Sequence, residues 1–271
     1  NGAVVDLLTV IETVTNLPPT VYNEPSSEFF WGLFPNDDGV GHIGIYVREN
    51  PPGSDFRYSY AIGRAPDNVI AGFEPIVWGG SNPDADNPDF GSGAILWDFE
   101  ANHFFEIANN ENYDAPQGTR GRFVSVFGRG PDEAEASKTV TLVYAAFANF
   151  QENGEPPVDA EYLYGQVDDG TNDLRFVDII GEQEFAEGDA EAPETMSLHA
   201  AFLNSGVGRA ENTYSGEAIA EGETAASTEC WDAALDRTYY SWTLGELTGG
   251  EGDASACGAI FSQSLTALGV P

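Results

Sequence analysis

Short runs rich in Val, Ile, Phe, Tyr and Trp recur from Phe29 onward, each closed off by Gly, Asn, Asp or Pro at intervals of roughly ten residues. This rhythm restricts the chain to a mainly β fold of local antiparallel pairs, because a parallel pair needs a crossover of about a dozen residues or more. Candidate strands are 42–49, 56–63, 72–78, 92–99, 120–127, 138–147, 158–166, 173–180, 195–203 and 209–219. Tyr58, Tyr60 and Ile62 alternate with Arg57, Ser59 and Ala61, and Val140, Leu142 and Tyr144 with Thr139 and Thr141, so one sheet face is dry and the other wet. Turns such as Pro51-Pro52-Gly53 and Asp168-Asp169-Gly170-Thr171-Asn172 supply residues that fix a bend or accept positive φ. Residues 182–194, with Glu182, Glu184, Glu187, Asp189, Glu191 and Glu194, read as a charged loop.

The first residues follow a different period. Val4, Leu7, Leu8, Ile11 and Val14 fall at helical spacing, with Asp6, Thr9, Glu12 and Thr13 off the stripe and Pro18-Pro19 ending it. Most of residues 4–15 are β-branched, which favours an extended strand instead. The expected fold is an antiparallel meander, a curved sheet or open barrel, with this amphipathic helix on its concave side. Residues 1–20 form the N-terminal segment, 21–220 the β domain, and 221–271 a C-terminal segment of the same domain.

Charge narrows the partners. The chain carries 45 acidic residues against ten basic ones, a net charge of −35, and Lys138 is its single lysine. Such a surface repels phosphate backbones and anionic headgroups, so no nucleic-acid partner is expected. Self-repulsion should make the fold more stable in salt. No apolar run reaches the roughly 18 residues of a membrane-spanning helix, so no transmembrane span is expected. Asn1 rather than Met in the first position reads as the start either of a processed mature chain or of a trimmed one. The two cysteines, Cys230 and Cys257, flank a stretch containing Gly249, Gly250 and Gly252. A disulfide is expected in an oxidising compartment, with two buried thiols as the alternative.

Few constellations point to chemistry. Gly39-Val40-Gly41-His42-Ile43-Gly44 matches GxGxxG, but the strand-like Ile45-Tyr46-Val47 follows where a dinucleotide fingerprint needs a helix, so it reads as a turn. His42, His103 and His199 fall in no metal-ligand spacing; His103 alone has Asp98, Glu100 and Glu106 nearby, a metal or acid-base candidate. No GxSxG elbow occurs. Asn82, Asp84, Asp86, Asn87 and Asp89 are the calcium candidates, since alternating carboxylate and amide oxygens can wrap a hard cation; Asn87 stands where an EF-hand loop has glycine. Phe73, Ile76, Trp78, Ile95, Trp97 and Phe99 are expected either to form an aromatic sheet core or to line a site for a lipid-like ligand.

Glu229-Cys230-Trp231-Asp232, Arg237-Thr238-Tyr239-Tyr240 and Gly252-Asp253-Ala254-Ser255-Ala256-Cys257 resemble the tail of uncharacterised exported lipoproteins of myxobacteria. Tyr60-Ala61-Ile62-Gly63-Arg64-Ala65-Pro66 and Gly91-Ser92-Gly93-Ala94-Ile95-Leu96-Trp97-Asp98-Phe99 are similar to earlier parts of them. The resemblance implies export, a tether through a lipidated cysteine, and a location in the periplasm, on the outer membrane surface or outside the cell. It carries no established activity. A helix followed by a long meander is also similar in architecture to the half-barrel of periplasmic lipoprotein carriers, which implies an apolar cavity. The expected function is non-enzymatic: an exported envelope or surface protein that binds an apolar ligand or a protein partner. The alternatives are a structural subunit of an extracellular assembly, with residues 3–15 added as a strand to a second copy, and a metal-dependent enzyme.

Overall fold

The computed structural model describes residues 9–257 apart from 12, 38, 88, 133–134, 172, 184–193, 217–218, 220–222 and 224. Fifteen strands follow one another in an antiparallel meander: β1 (Val21–Asn23), β2 (Glu28–Pro35), β3 (His42–Glu49), β4 (Tyr58–Ala65), β5 (Glu74–Pro83), β6 (Gly91–Asp98), β7 (Arg120–Pro131), β8 (Thr139–Gln151), β9 (Val158–Asp168), β10 (Asp173–Gln183), β11 (Glu194–Leu203), β12 (Gly208–Ser215), β13 (Ala225–Trp231), β14 (Arg237–Leu244) and β15 (Leu247–Gly252). Each strand neighbours those before and after it, and the order never returns on itself, so the sheet is open with β1 and β15 as its ends. The chain divides into two compact units, one of residues 1–129 with 145–159 and one of residues 130–144 with 160–271.

In the first unit, register puts one apolar face across six strands. Trp31 lies opposite Ile45, Ile45 opposite Ile62, Ile62 opposite Val77, Val77 opposite Trp97, and Trp97 opposite Phe123. Trp31, Ile45, Val47, Tyr60, Val77 and Ile95 form its buried cluster. Each such side chain contributes about 1.5–3 kcal/mol when fully buried. Ile11 and Val14 pack against this cluster, residues 9–11 and 13–15 are helical, and the Trp31 indole donates to the Leu17 carbonyl at 2.9 Å. The N-terminal segment therefore adopts its helical alternative wherever it is described; residues 3–8 lie outside the described residues. Burial of the stripe against its own sheet outweighs the β-branched preference.

A helix absent from the sequence expectation follows β6. In α1 (Phe99–Asn109), Asp98 caps the N-terminus by accepting from the Ala101 N–H at 2.9 Å. Arg64, on the same side of β4 as Tyr60 and Ile62, fixes this helix: its guanidinium sits 4.3 Å over the Phe105 ring, donates to Asn102 at 2.9 Å, and pairs with Glu106. Behind the sheet, Phe30, Leu33 and Ala65 form a second small cluster with Tyr46 and Phe73.

The second unit has a thinner core. Phe176 and Ala201 are buried, with Leu142, Leu163 and Leu174 against them. Cys230 and Cys257 form a disulfide with Cα atoms 5.7 Å apart, fastening a turn of 3-10 helix at 254–257 to β13.

Candidate functional site

The candidate calcium ligands serve turn geometry. Asp84 Oδ1 accepts from the backbone N–H groups of Asp86 and Asn87, both at 2.8 Å, and Asn87 Oδ1 accepts from Asp89 at 3.0 Å. Asn82 stands apart on β5, accepting from the Arg57 N–H at 2.7 Å and donating to the Asp55 carbonyl at 2.8 Å. Among the described residues, no group of three or more His, Cys, Asp or Glu side chains is arranged to hold a metal.

Of the candidate aromatic and apolar residues, Ile76, Ile95 and Trp97 share the main cluster of the first unit, and the rings of Phe123, Phe147 and Phe150 link Trp97 to Phe99, while Phe73 and Trp78 stand apart. Phe73 packs edge-on against Phe30 at 5.3 Å, Trp97 against Phe123 at 5.5 Å, and Phe99 against Phe150 at 5.6 Å. Trp78 lies opposite Ala61 and Leu96, on the face away from Ile95 and Trp97, and is 38% exposed. Ile76 packs on the main cluster of the first unit.

The histidines are likewise dispersed. His103 is buried in α1 with its Nδ1 at 2.9 Å from the Tyr113 hydroxyl. His199 lies between Asp178 on β10 and Glu211 on β12, and its Nδ1 bonds Asp178. That hydrogen bond raises the His199 pKa, against the opposing effect of burial. The GxGxxG segment is a turn entering β3, with Gly41 at φ +74°.

Two other places stand out in the described structure. The first is a cleft of about 670 Å³ beneath the β3–β4 loop, lined by Arg48, Asn50, Pro52, Ser54, Arg57 and Asn82 among others. Its loop is held at both ends: the Asn50 amide donates to the Phe56 carbonyl at 2.9 Å and to Ser59 Oγ at 2.7 Å, while Asn82 holds Asp55 and Arg57. Glu49 faces Arg57 at 3.4 Å. Arg48 interacts with the Tyr46 hydroxyl and with the charge of Glu28, which lies opposite it on β2 and is bonded by Ser26 at 2.6 Å, Tyr46 at 2.8 Å and Asn23 at 3.1 Å. Those bonds, Ser26 first, hold the Glu28 carboxyl below its ordinary pKa.

The second place is the β14–β15 end of the sheet. Trp242 lies over Gly249, and Leu244 lies opposite Leu247 on the same face. Trp242, Leu244 and Leu247 are 37%, 50% and 64% exposed. Glu223, Glu246 and Glu251 are exposed near them in sequence or register, with Glu223 reaching the β14–β15 turn at Gly245.

Sequence reasoning singled out neither place. The signal for the cleft was the scarcity of cations, two of which fall within ten residues at Arg48 and Arg57. The signal for the patch was the period-two spacing of Tyr240, Trp242 and Leu244. No protein-family model, curated protein or solved structure matches the chain.

Proposed function

We propose that the chain is a non-enzymatic exported binding protein of the cell envelope or surface, which holds a protein partner with the β14–β15 end of its sheet. The observation carrying this reading is the exposed group Trp242, Leu244 and Leu247 with glutamates around it. Clustered exposed apolar side chains inside a polar rim are the mark of an interaction surface, and Trp is the residue type that most often anchors one. Glu251 is paired with Arg237, so Glu223 and Glu246 are the rim charges that select a partner bringing Lys and Arg around an apolar centre. An exposed sheet face suits a protein rather than a small apolar ligand, which needs an enclosing pocket.

Export is supported by the Cys230–Cys257 bond, since disulfides persist in oxidising compartments, and by the resemblance to exported lipoproteins. The apolar sheet face that a lipid would cover in a carrier is packed in the first unit by Ile11 and Val14. Those same residues, helical on their own sheet, leave the donor-strand assembly without an extended donor over 9–15.

The test compares the parent with Trp242→Asp and Glu246→Lys as baits for cross-linking among envelope proteins of the source cell. The expected result is one partner, rich in surface Lys and Arg, captured by the parent and lost with either variant while thermal unfolding stays unchanged. Capture that is equal for all three baits overturns the reading.

A further inference from the structure

We infer that the chain pairs with a second copy of itself, packing sheet on sheet through the apolar face of β9 to β12 in the second unit. Register sets the composition of that face. Tyr162, Ile179, Leu198 and Asn212 lie in one row across the four strands, flanked by Tyr164 on one side and Tyr214 on the other. Charged residues take this face's positions only at its ends: Asp168, Asp173 and Arg175 by the β9–β10 turn, where Arg175 pairs with Asp173 at 2.6 Å, and the buried Glu194 at the start of β11. The same strands turn Asp178, His199 and Glu211 to the opposite face. The buried side chains Phe176 and Ala201 nevertheless belong to that charged face, while Tyr162, Tyr164, Ile179, Leu198 and Tyr214 all keep partial exposure. An antiparallel sheet with one wet side turns its apolar side inward. Here the more apolar side is the less buried one.

Charge chooses the occupant. In a chain of net charge −35, a site for a cationic partner would gain from carboxylates of its own, and the centre of this face has none. A two-fold contact has the opposite need: the patch meets itself, so every carboxylate placed in it would face those of the second copy. A face emptied of charge therefore fits a second copy of the same acidic chain. Its size also suffices. Four strands about 4.8 Å apart, with β10 and β11 paired over ten residues at about 3.4 Å each, present roughly 600 Å² per copy. Two such faces together bury about 1,200 Å², which reaches the range of specific interfaces. Aligned sheets packed about 10 Å apart interdigitate their side chains as the two halves of a sandwich do. Trp242, Leu244 and Leu247 lie on β14 and β15, outside this contact, so the inference stands independently of the β14–β15 reading.

Sedimentation velocity of the full chain at low salt and in about 1 M sodium chloride, where the Debye length is about 3 Å, tests the inference. The parent should sediment at twice its 29.0 kDa in high salt, and the dimer should weaken as salt is withdrawn and the two net charges repel. Leu198→Glu should weaken the dimer by about tenfold or more, through like charges facing each other across the contact. Thr213→Glu, exposed on the opposite face, should leave it unchanged. Should Leu198→Glu unfold, Asn212→Asp puts a carboxylate in the same row with almost no change of shape and should weaken the dimer likewise. A parent that stays monomeric in high salt overturns the inference, and one that floats as a monomer with phosphatidylcholine vesicles replaces the second copy by a lipid surface. A dimer left intact by a folded Leu198→Glu or Asn212→Asp overturns the face as the contact. A dimer lost with Trp242→Asp but kept with Asn212→Asp overturns it too, by moving the contact to the β14–β15 patch.

Discussion

Phe176 lies over Gly165, its directly opposite neighbour on β9, so closely that a Cβ built on Gly165 would stand 1.8 Å from the ring. Trp231 covers Gly208, Trp242 covers Gly249 and Phe127 covers Gly93 in the same way, each pair directly opposite in the ladder. A glycine weakens a strand because it offers no side chain to its neighbours, and an aromatic ring laid across it restores the cover. Gly165→Ala should therefore displace Phe176 from the second unit's core and cost about 1–3 kcal/mol, the usual penalty of overpacking. Gly130→Ala, with nothing within 4 Å of its added Cβ, should be close to neutral. Urea unfolding of the two variants checks the contrast; equal midpoints would remove the role given to the ring.

Arg64 and Glu106, 11% and 12% exposed, hold α1 against the first unit. Removing one partner of a buried pair strands the other, at a cost of about 3–5 kcal/mol. Arg64→Met should show that loss in thermal unfolding, and the double variant Arg64→Met with Glu106→Leu should recover most of it. A double variant no better than the single one would place the stabilisation in the Arg64 contacts to Phe105 and Asn102 instead.

Alternation made the strands around Tyr58–Ile62 and Thr139–Tyr144 legible, and the expected 42–49, 158–166 and 173–180 fall within the observed strands because Gly and Asx residues mark their turns. β2 was not, since Phe29 to Phe34 reads as an unbroken apolar run and Phe30, Trp31 and Leu33 are buried on both sides of the sheet. β13 to β15 escaped because Thr, Ser and Gly are frequent in them, and their pairing involves rings such as Trp242 lying over a glycine of the neighbouring strand. α1 carried one sign, Asp98 as a cap, but its three phenylalanines and its β-like approach through β6 masked it. The cleft was invisible for another reason. The surroundings of Arg48, with Glu28 opposite it and the Tyr46 hydroxyl beside it, are a property of register, not of composition.

Cys230 and Cys257 are 1% and 7% exposed and 27 residues apart. Closing a loop of that length is worth about 3.5 kcal/mol in the chain-entropy model. Cys257→Ser should lower the urea midpoint by a corresponding amount. In the parent, a thiol reagent should find no reactive cysteine in native or denaturing buffer until a reductant is added, and reduction should be far faster in denaturant. Two reactive thiols in freshly purified protein would remove the bond.

The net charge of −35 predicts that melting temperature rises with ionic strength, because the Debye length falls from about 10 Å at 0.1 M to about 3 Å at 1 M salt. A flat profile in sodium chloride over that range would make repulsion a minor contribution. Pairs such as Arg57 with Glu49, half-exposed at 3.4 Å, act in the opposite direction but are worth under about 1 kcal/mol each.

His199 gives the fold a dependence on pH that can be isolated from the carboxylates. Its hydrogen bond to Asp178, with Glu211 opposite on β12 and Arg209 partly offsetting them, raises its folded pKa above the ordinary 6.5. A histidine with a raised folded pKa contributes stability that is complete below the unfolded value and disappears as pH climbs through the folded one. The contribution should therefore be present at about pH 5.5 and gone at about pH 9, and for a partly exposed pair it should be no more than about 1 kcal/mol. His199→Gln keeps a hydrogen-bond donor while removing the titration, so the stability difference between parent and variant should shrink steadily across that interval. Urea unfolding at several pH values reads this difference directly. A difference that is constant from acid to alkaline pH would mean that His199 contributes through packing between Asp178 and Glu211, and that its charge does not.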